Sequence, residues 1–114
     1  MKKSEIKKLD LLWSKKIKEL ANYTCEYCGK SGVWLNACHI IGRRYRGTRW
    51  LLSNGMCLCY PHHQQYDSHG PQHEDIVKEV VGKERMKLLI ELSKHTITKD
   101  QDYEEIKEIL QDVR

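Results

Sequence analysis

The chain opens with apolar residues three or four apart: Ile6, Leu9, Trp13, Ile17 and Leu20, with lysines over most of the opposite face. That period predicts an amphipathic helix over residues 2–21 whose stripe packs on a core. From Asn22 to about Gly70 the helix period disappears, and Gly, Cys, His and Asn punctuate short apolar runs. Residues 33–41 read as a strand, Asn54-Gly55 as a tight-turn signal, and Met56-Cys57-Leu58 as a second short strand. Pro61 suits the first turn of a following helix, where its missing N–H costs nothing. That helix carries His62, His63 and Asp67 and is expected to end near Gly70-Pro71. Helical spacing then returns. Ile76, Val77, Val80 and Val81 share a face, Gly82 marks a break, and Met86, Leu89, Ile90 and Leu92 continue the pattern. Thr98 and Gln101 have capping-box spacing ahead of a last helix with the stripe Tyr103, Ile106, Leu110 and Val113. The pattern predicts a small α+β fold in a single domain, 1–114. An N-terminal helix (1–21) precedes a strand–loop–strand–helix core (22–70) and an extension (71–114) of two to three helices.

Composition makes that core look thin. Phe is absent and the middle of the chain has few aliphatic runs, and a domain of 114 residues built this way usually needs a staple. No stretch approaches the roughly 18–20 apolar residues of a membrane span, so no membrane partner is expected. The basic N-terminus leads into an amphipathic pattern, not a signal-peptide core. The expectation is a cytoplasmic protein whose thiols stay reduced. Five cysteines, an odd number, then read as metal binding and not as a disulfide framework. Cys25-Glu26-Tyr27-Cys28 is a Cys-x-x-Cys knuckle, and Cys59-Tyr60-Pro61-His62 repeats the spacing with His as the second ligand. Together they form a Cys3His set, a closed tetrahedral site for structural Zn2+ with no open position for chemistry. Cys57, two residues before Cys59, is the alternative to His62. The matching spacing favours His62 and leaves Cys57 as a buried thiol.

Charge placement adds a partner. The net charge is +4, yet no Asp or Glu occurs from Tyr27 through Tyr66, where Lys30, Arg43, Arg44, Arg46 and Arg49 lie. Such a segment suits nucleic acid. The guanidinium groups would grip phosphates bidentately, and Tyr45 and Trp50 would stack or wedge against bases. Acidic residues gather after Asp67, above all from Asp100 to Asp112, which makes the last helix a candidate homodimer or partner surface.

Between the two knuckles His39 ends a strand, Asn54 sits before the next, and His63 follows the second knuckle. With these, the ordered set Cys25-x-x-Cys28, Cys38-His39-Ile40, Asn54-Gly55 and Leu58-Cys59-x-x-His62-His63 resembles the HNH endonuclease family of zinc-knuckle type. The run Ile40-Ile41-Gly42-Arg43-Arg44 and the helical tail are most similar to phage-type members of the NinG-like recombination kind. The resemblance covers roughly residues 23–70. It implies a ββα-metal core and a metal-dependent DNA endonuclease acting in phage or mobile-element DNA processing. It further implies His39 as general base, His63 as ligand of a single divalent metal, and Asn54 as either a bracket for the loop or a ligand. Many members carry Asp immediately before the base, where this chain has Cys38. Colicin-like members have His there and a second His four residues past the helix ligand, where this chain has Asp67. One helical turn puts His63 and Asp67 on the same face. Cys38 either joins them or packs inward. A Cys38 thiolate would shift the metal from Mg2+ towards Zn2+, Ni2+ or Mn2+. His69 and His73 read as surface residues beyond the helix. The competing readings are a non-catalytic zinc-stabilised nucleic-acid-binding module, which has no need of His39, Asn54 and His63 together, and a zinc-bearing protein-interaction module.

Overall fold

The structure, a computed structural model, describes residues 1–94 and 103–111. Helix α1 (Lys3–Leu20) leads through the knuckle loop to β1 (Leu35–His39). A helical turn, α2 (Arg46–Arg49), and a 3-10 turn (Leu52–Asn54) precede β2 (Gly55–Cys59) and α3 (Tyr60–Asp67). Helix α4 (His73–Ile76) continues as a π turn over Val77–Val81, followed by α5 (Lys83–Ser93) and α6 (Tyr103–Gln111). The capping pair Thr98 and Gln101 and the stripe residue Val113 lie outside the described residues.

The strands pair antiparallel, with Leu35 opposite Cys59, Ala37 opposite Cys57 and His39 opposite Gly55. Alternate side chains point to opposite faces of a hairpin, and here both faces are covered. Ala37 and Cys57 pack with Leu9, Trp13 and Ile17 of α1, with Trp50, and with Leu110 of α6. Cys38, Met56 and Leu58 pack on the other side with Tyr66, Ile76, Val81 and Leu89. All five residues of β2 are buried, which explains why Gly-Met-Cys-Leu-Cys shows no polar alternation. The Tyr66 hydroxyl donates to the Ile40 carbonyl at 2.6 Å and ties α3 to the end of β1.

Several expectations change. The first strand is shorter than residues 33–41. Val33 and Trp34 are exposed before it, and past His39 the Asn54 side chain takes over the hydrogen bonds of Ile41. Asn54-Gly55 does not close a tight turn between strands. Asn54 ends the 3-10 turn and Gly55 opens β2. Leu20 is exposed, as is Ile90, while the rest of the α1 stripe is buried or half-buried. The α6 stripe packs on α1, so its apolar face belongs to the core of this chain. His73 is half-buried at the start of α4, stacked on Tyr66 at 4.7 Å, and is not a free surface residue. Gly82, at φ 83°, ends the π turn as the expected break. Among the described residues no helix is long and apolar enough to cross a membrane.

Gly55 has a packing role that its turn propensity did not suggest. A Cβ there would lie 2.2 Å from Ile17 Cδ1 and 2.8 Å from Trp13 Cζ2. Gly55→Ala is therefore expected to destabilise the fold by about 1–3 kcal/mol through overpacking, read by urea unfolding. Wild-type stability in that variant would show that α1 can lift from β2 at no cost.

Candidate active site and metal centre

The knuckle is held against the hairpin by backbone pairing. Asn22 and Tyr23 adopt left-handed φ values of 56° and 53° and turn the chain out of α1. The Cys25 N–H donates to the Lys30 carbonyl at 2.8 Å and Gly29 N–H to the Cys25 carbonyl at 2.9 Å, closing the loop. Glu26 then docks it on β2. Its N–H donates to the Cys57 carbonyl at 2.8 Å, and its carboxylate accepts the Cys57 N–H at 2.7 Å. This brings the ligand atoms of Cys25, Cys28, Cys59 and His62 within 4.8 Å of one another.

The spacing fits zinc. A tetrahedron with Zn–S bonds of about 2.3 Å has S–S edges of about 3.8 Å and slightly shorter S–N edges. The Cys28–Cys59 Sγ separation is 3.8 Å, and His62 Nδ1 lies 3.2 Å from Cys59 Sγ and 4.0 Å from Cys25 Sγ. Burial opposes ionisation of Cys25, but N–H donors of Cys28 and Cys59 and the His62 ring outweigh it and bring the thiol to about 6. A thiolate at neutral pH is the form that binds metal. Cys57 takes no part: it is buried under α1, and burial pushes its thiol up to about 11.

On the far side of α3 a cavity of about 450 Å³ gathers His39, His63, Asp67, Cys38 and Arg43. His39 is fixed from two directions. Its ring stacks on Trp13 at 3.9 Å, nearly parallel, and its Nε2 lies 3.0 Å from the Arg49 carbonyl. A carbonyl only accepts, so Nε2 carries the proton and Nδ1 keeps its lone pair. Burial, helped by the Arg43 and Arg49 charges, lowers the His39 pKa to about 4 against the opposing pull of the Arg49 carbonyl and Asp10. The ring is therefore neutral at pH 7. His63 Nε2 and Asp67 Oδ2 are 2.9 Å apart on adjacent turns of α3. Cys38 is buried, its thiol turned to the Asn36 carbonyl at 3.7 Å and pushed well above the usual thiol range by burial.

Asn54 is fully buried and brackets the loop. Its Oδ1 accepts the Ile41 N–H at 2.8 Å and its Nδ2 donates to the Ile41 carbonyl at 3.0 Å. Of the arginines, Arg43, Arg44 and Arg46 are exposed, with Arg44 over the Tyr45 ring at 4.8 Å. Arg49 is engaged within the protein. It donates to the Asp10 carboxylate through Nε at 3.1 Å and Nη2 at 2.7 Å. Trp50, expected to be free for bases, is buried and donates to the same carboxylate at 2.9 Å. Burial works against the Asp10 carboxylate, but these donors hold its pKa below the ordinary value.

Asp10, Trp13 and Ser14 line the cavity, and no motif in the sequence marks them for it. One signal was available. Asp10 is the lone acid between Glu5 and Glu19, three residues before the stripe tryptophan.

Residues 25–70, less than half of the chain, match the family model described as HNH endonuclease. The match supports the HNH family for the knuckle, hairpin and α3, and with it a nuclease or nucleic-acid function. Helix α1 and the C-terminal helices lie outside it. No curated protein and no solved structure matches the chain.

Two outcomes follow from this geometry. Stripping metal from the Cys3His cluster with a strong chelator is expected to collapse tertiary structure, seen as loss of near-UV circular dichroism, with one zinc released per chain. An unchanged spectrum after metal loss would show that the knuckle folds without it. His39, near 6.5 when unfolded and about 4 when folded, binds fewer protons in the native state between those values. Its contribution to stability is thus fully present above pH 6.5 and lost as pH falls towards 4. Imidazole 15N shifts should report a neutral Nε2–H ring for His39 from pH 8 to about pH 5. A midpoint near 6.5 would contradict the burial argument.

Proposed function

We propose that the protein is a metal-dependent HNH-type DNA endonuclease that hydrolyses phosphodiester bonds. The observation that carries this reading is the convergence of a neutral, tautomer-fixed His39 and the His63–Asp67 pair on one cavity edged by Arg43. The 2.9 Å His63–Asp67 separation is that of a hydrogen-bonded i,i+4 pair and leaves both side chains on the cavity face of one helix, where a divalent ion would replace the shared proton. His63 and Asp67 would hold the divalent ion (Mg2+, Mn2+, Ni2+ or Zn2+), with the Cys38 thiol in the cavity wall. When bound, the ion supplies Lewis-acid stabilisation of the phosphate and of the departing 3′ oxygen.

The chain's own residues do the rest. His39 Nδ1 takes the proton of the attacking water, and the Arg49 carbonyl and Trp13 ring keep the imidazole aimed while it does so. Asn54 fixes the loop that joins the base to the arginine segment, and is a bracket in this reading, not a ligand. Arg43, Arg44 and Arg46 contact backbone phosphates, which contributes affinity and salt dependence more than sequence choice. Arg49 acts through its hydrogen bonds to Asp10 and, by its carbonyl, to His39. One such site cuts one strand per encounter, so a monomer nicks, and a homodimer would be needed to cut both strands together. The phage or mobile-element setting and a cytoplasmic location rest on the resemblance of residues 40–44 and the helical tail, and on a metal site built from reduced thiols.

Cleavage of supercoiled plasmid is the test, with chelator or with magnesium, manganese, nickel or zinc added. Wild type is expected to nick in at least one metal. His39→Ala should lose at least about a hundredfold in rate while retaining zinc and DNA binding. If wild type binds DNA but cuts neither plasmid, single strands nor a branched junction in any metal, the catalytic reading is overturned. A zinc-stabilised nucleic-acid-binding module then stands in its place.

A further inference from the structure

Asp10, Ser14 and Lys18 stand four residues apart on α1 and so form one row of the helix. On β1, His39, Ala37 and Leu35 share one strand face. Ser14, Ala37 and His39 line the candidate active cavity, and Lys18 and Leu35 line a second hollow of about 350 Å³. The two hollows therefore follow one another along the same helix row and the same strand face. Tyr23 and Trp34 line the second hollow as well. Trp34 is 75% exposed and Tyr23 53% exposed. Tyr23 is presented in a left-handed conformation that bulky residues rarely adopt, its N–H held by the Lys18 carbonyl at 2.9 Å.

We propose that Trp34 and Tyr23 stack an unpaired base of the nucleic-acid strand that passes through the His39 cavity, with Lys18 on its phosphate. Two aromatic faces beside an amine form the kind of platform that takes bases without reading sequence. Alignment with the cavity along one helix row and one strand face, and cations at both ends (Lys18 in one hollow, Arg43 in the other), favour nucleic acid over an apolar protein segment. Of the acids along this path, Asp10 is neutralised by Arg49, Asp67 is engaged by His63 at 2.9 Å, and Glu19, next to Lys18 in sequence, is exposed. A base inside a duplex stack offers no free face, so the occupant is single-stranded at this point. From Trp34 to His39 the chain advances five residues, about 17 Å at roughly 3.3 Å each. That equals about five stacked nucleotides at roughly 3.4 Å. The preferred substrate thus carries an unpaired stretch near five nucleotides from the scissile phosphate. The distance to the cut rests on the nuclease reading; the stacking does not.

Tryptophan fluorescence gives a readout separate from cleavage. Trp34 is 75% exposed and Trp50 6%, while Trp13, 1% exposed, lines the His39 cavity, so the Trp34 signal is read as the difference between wild type and Trp34→Ala. The full zinc-loaded chain, with no catalytic metal added, is titrated with a twelve-residue oligothymidylate and with a duplex hairpin at fixed salt. Oligothymidylate is expected to quench the emission. Trp34→Ala should remove most of the quenching and weaken single-strand binding about tenfold, with duplex affinity changed less than twofold. Trp34→Phe should restore most of the affinity. Undiminished quenching in Trp34→Ala, or equal loss of affinity on both DNAs, overturns the proposal. So does a Trp34-dependent dimer in sedimentation with no response to DNA, which would make a second copy the occupant. Quenching without cleavage in any metal sinks the nuclease reading alone, and cleavage without quenching sinks only this one.

Discussion

The close approach of α1 to β2 is the constraint on which the arrangement depends. Gly55 leaves the space that Ile17 and Trp13 fill, and no larger residue fits without displacing them. Because α1 sits that low, Trp13 reaches the His39 ring, and Asp10, three residues earlier, reaches Arg49 and Trp50. Arg49 in turn offers its carbonyl to His39. The helix that precedes the family-like segment is thus part of the machinery that orients its candidate base. A 0.5–1 Å lift of α1 would loosen the stack and the Asp10 clamp together, since dispersion contacts decay steeply with distance.

The hairpin separates the Cys3His cluster from the candidate cavity with little chain. β2 ends at Cys59, and α3 starts at the next residue. Successive helix residues are about 100° apart, so neighbouring histidines serve different sites. His62 turns to the cysteines, and His63 to the cavity with Asp67. The closed cluster sets the position of α3, and α3 sets the position of the open pair. Tyr66, one turn further along, fastens the same helix to the end of β1.

Electrostatics in the cavity are shaped more by burial than by net charge. The arginines near His39 would depress its pKa on their own, and desolvation acts in the same direction and more strongly. The result is an imidazole that stays neutral across the physiological range. The Asp10–Arg49 pair costs desolvation of two charges, but its bidentate geometry and the Trp50 N–H satisfy the carboxylate. The arginine segment is consequently split. Three guanidinium groups face solvent, and the fourth is committed to holding the loop.

The Cys3His cluster was legible in the sequence because Cys-x-x-Cys and Cys-x-x-His fix the side-chain geometry within one local turn each. The order strand, loop, strand, helix was legible too, from Pro61, from the change of period at Asn22 and from the short apolar runs. His63 and Asp67 were paired by helix spacing alone. What local sequence left open was every contact between elements distant along the chain. Asn54 was marked as bracket or ligand, and its two hydrogen bonds to Ile41 arise only when the loop folds back over thirteen residues. Arg49 and Trp50 read as nucleic-acid contacts because nothing nearby in sequence opposes them; their partner, Asp10, lies 39 and 40 residues away. Gly55 read as a turn residue because its neighbour is Asn, whereas α1 packing decides its role. Local spacing determined which residues bind as neighbours, and the tertiary structure decided which distant groups compete for each side chain, because hydrogen bonds and stacking depend on separation in space.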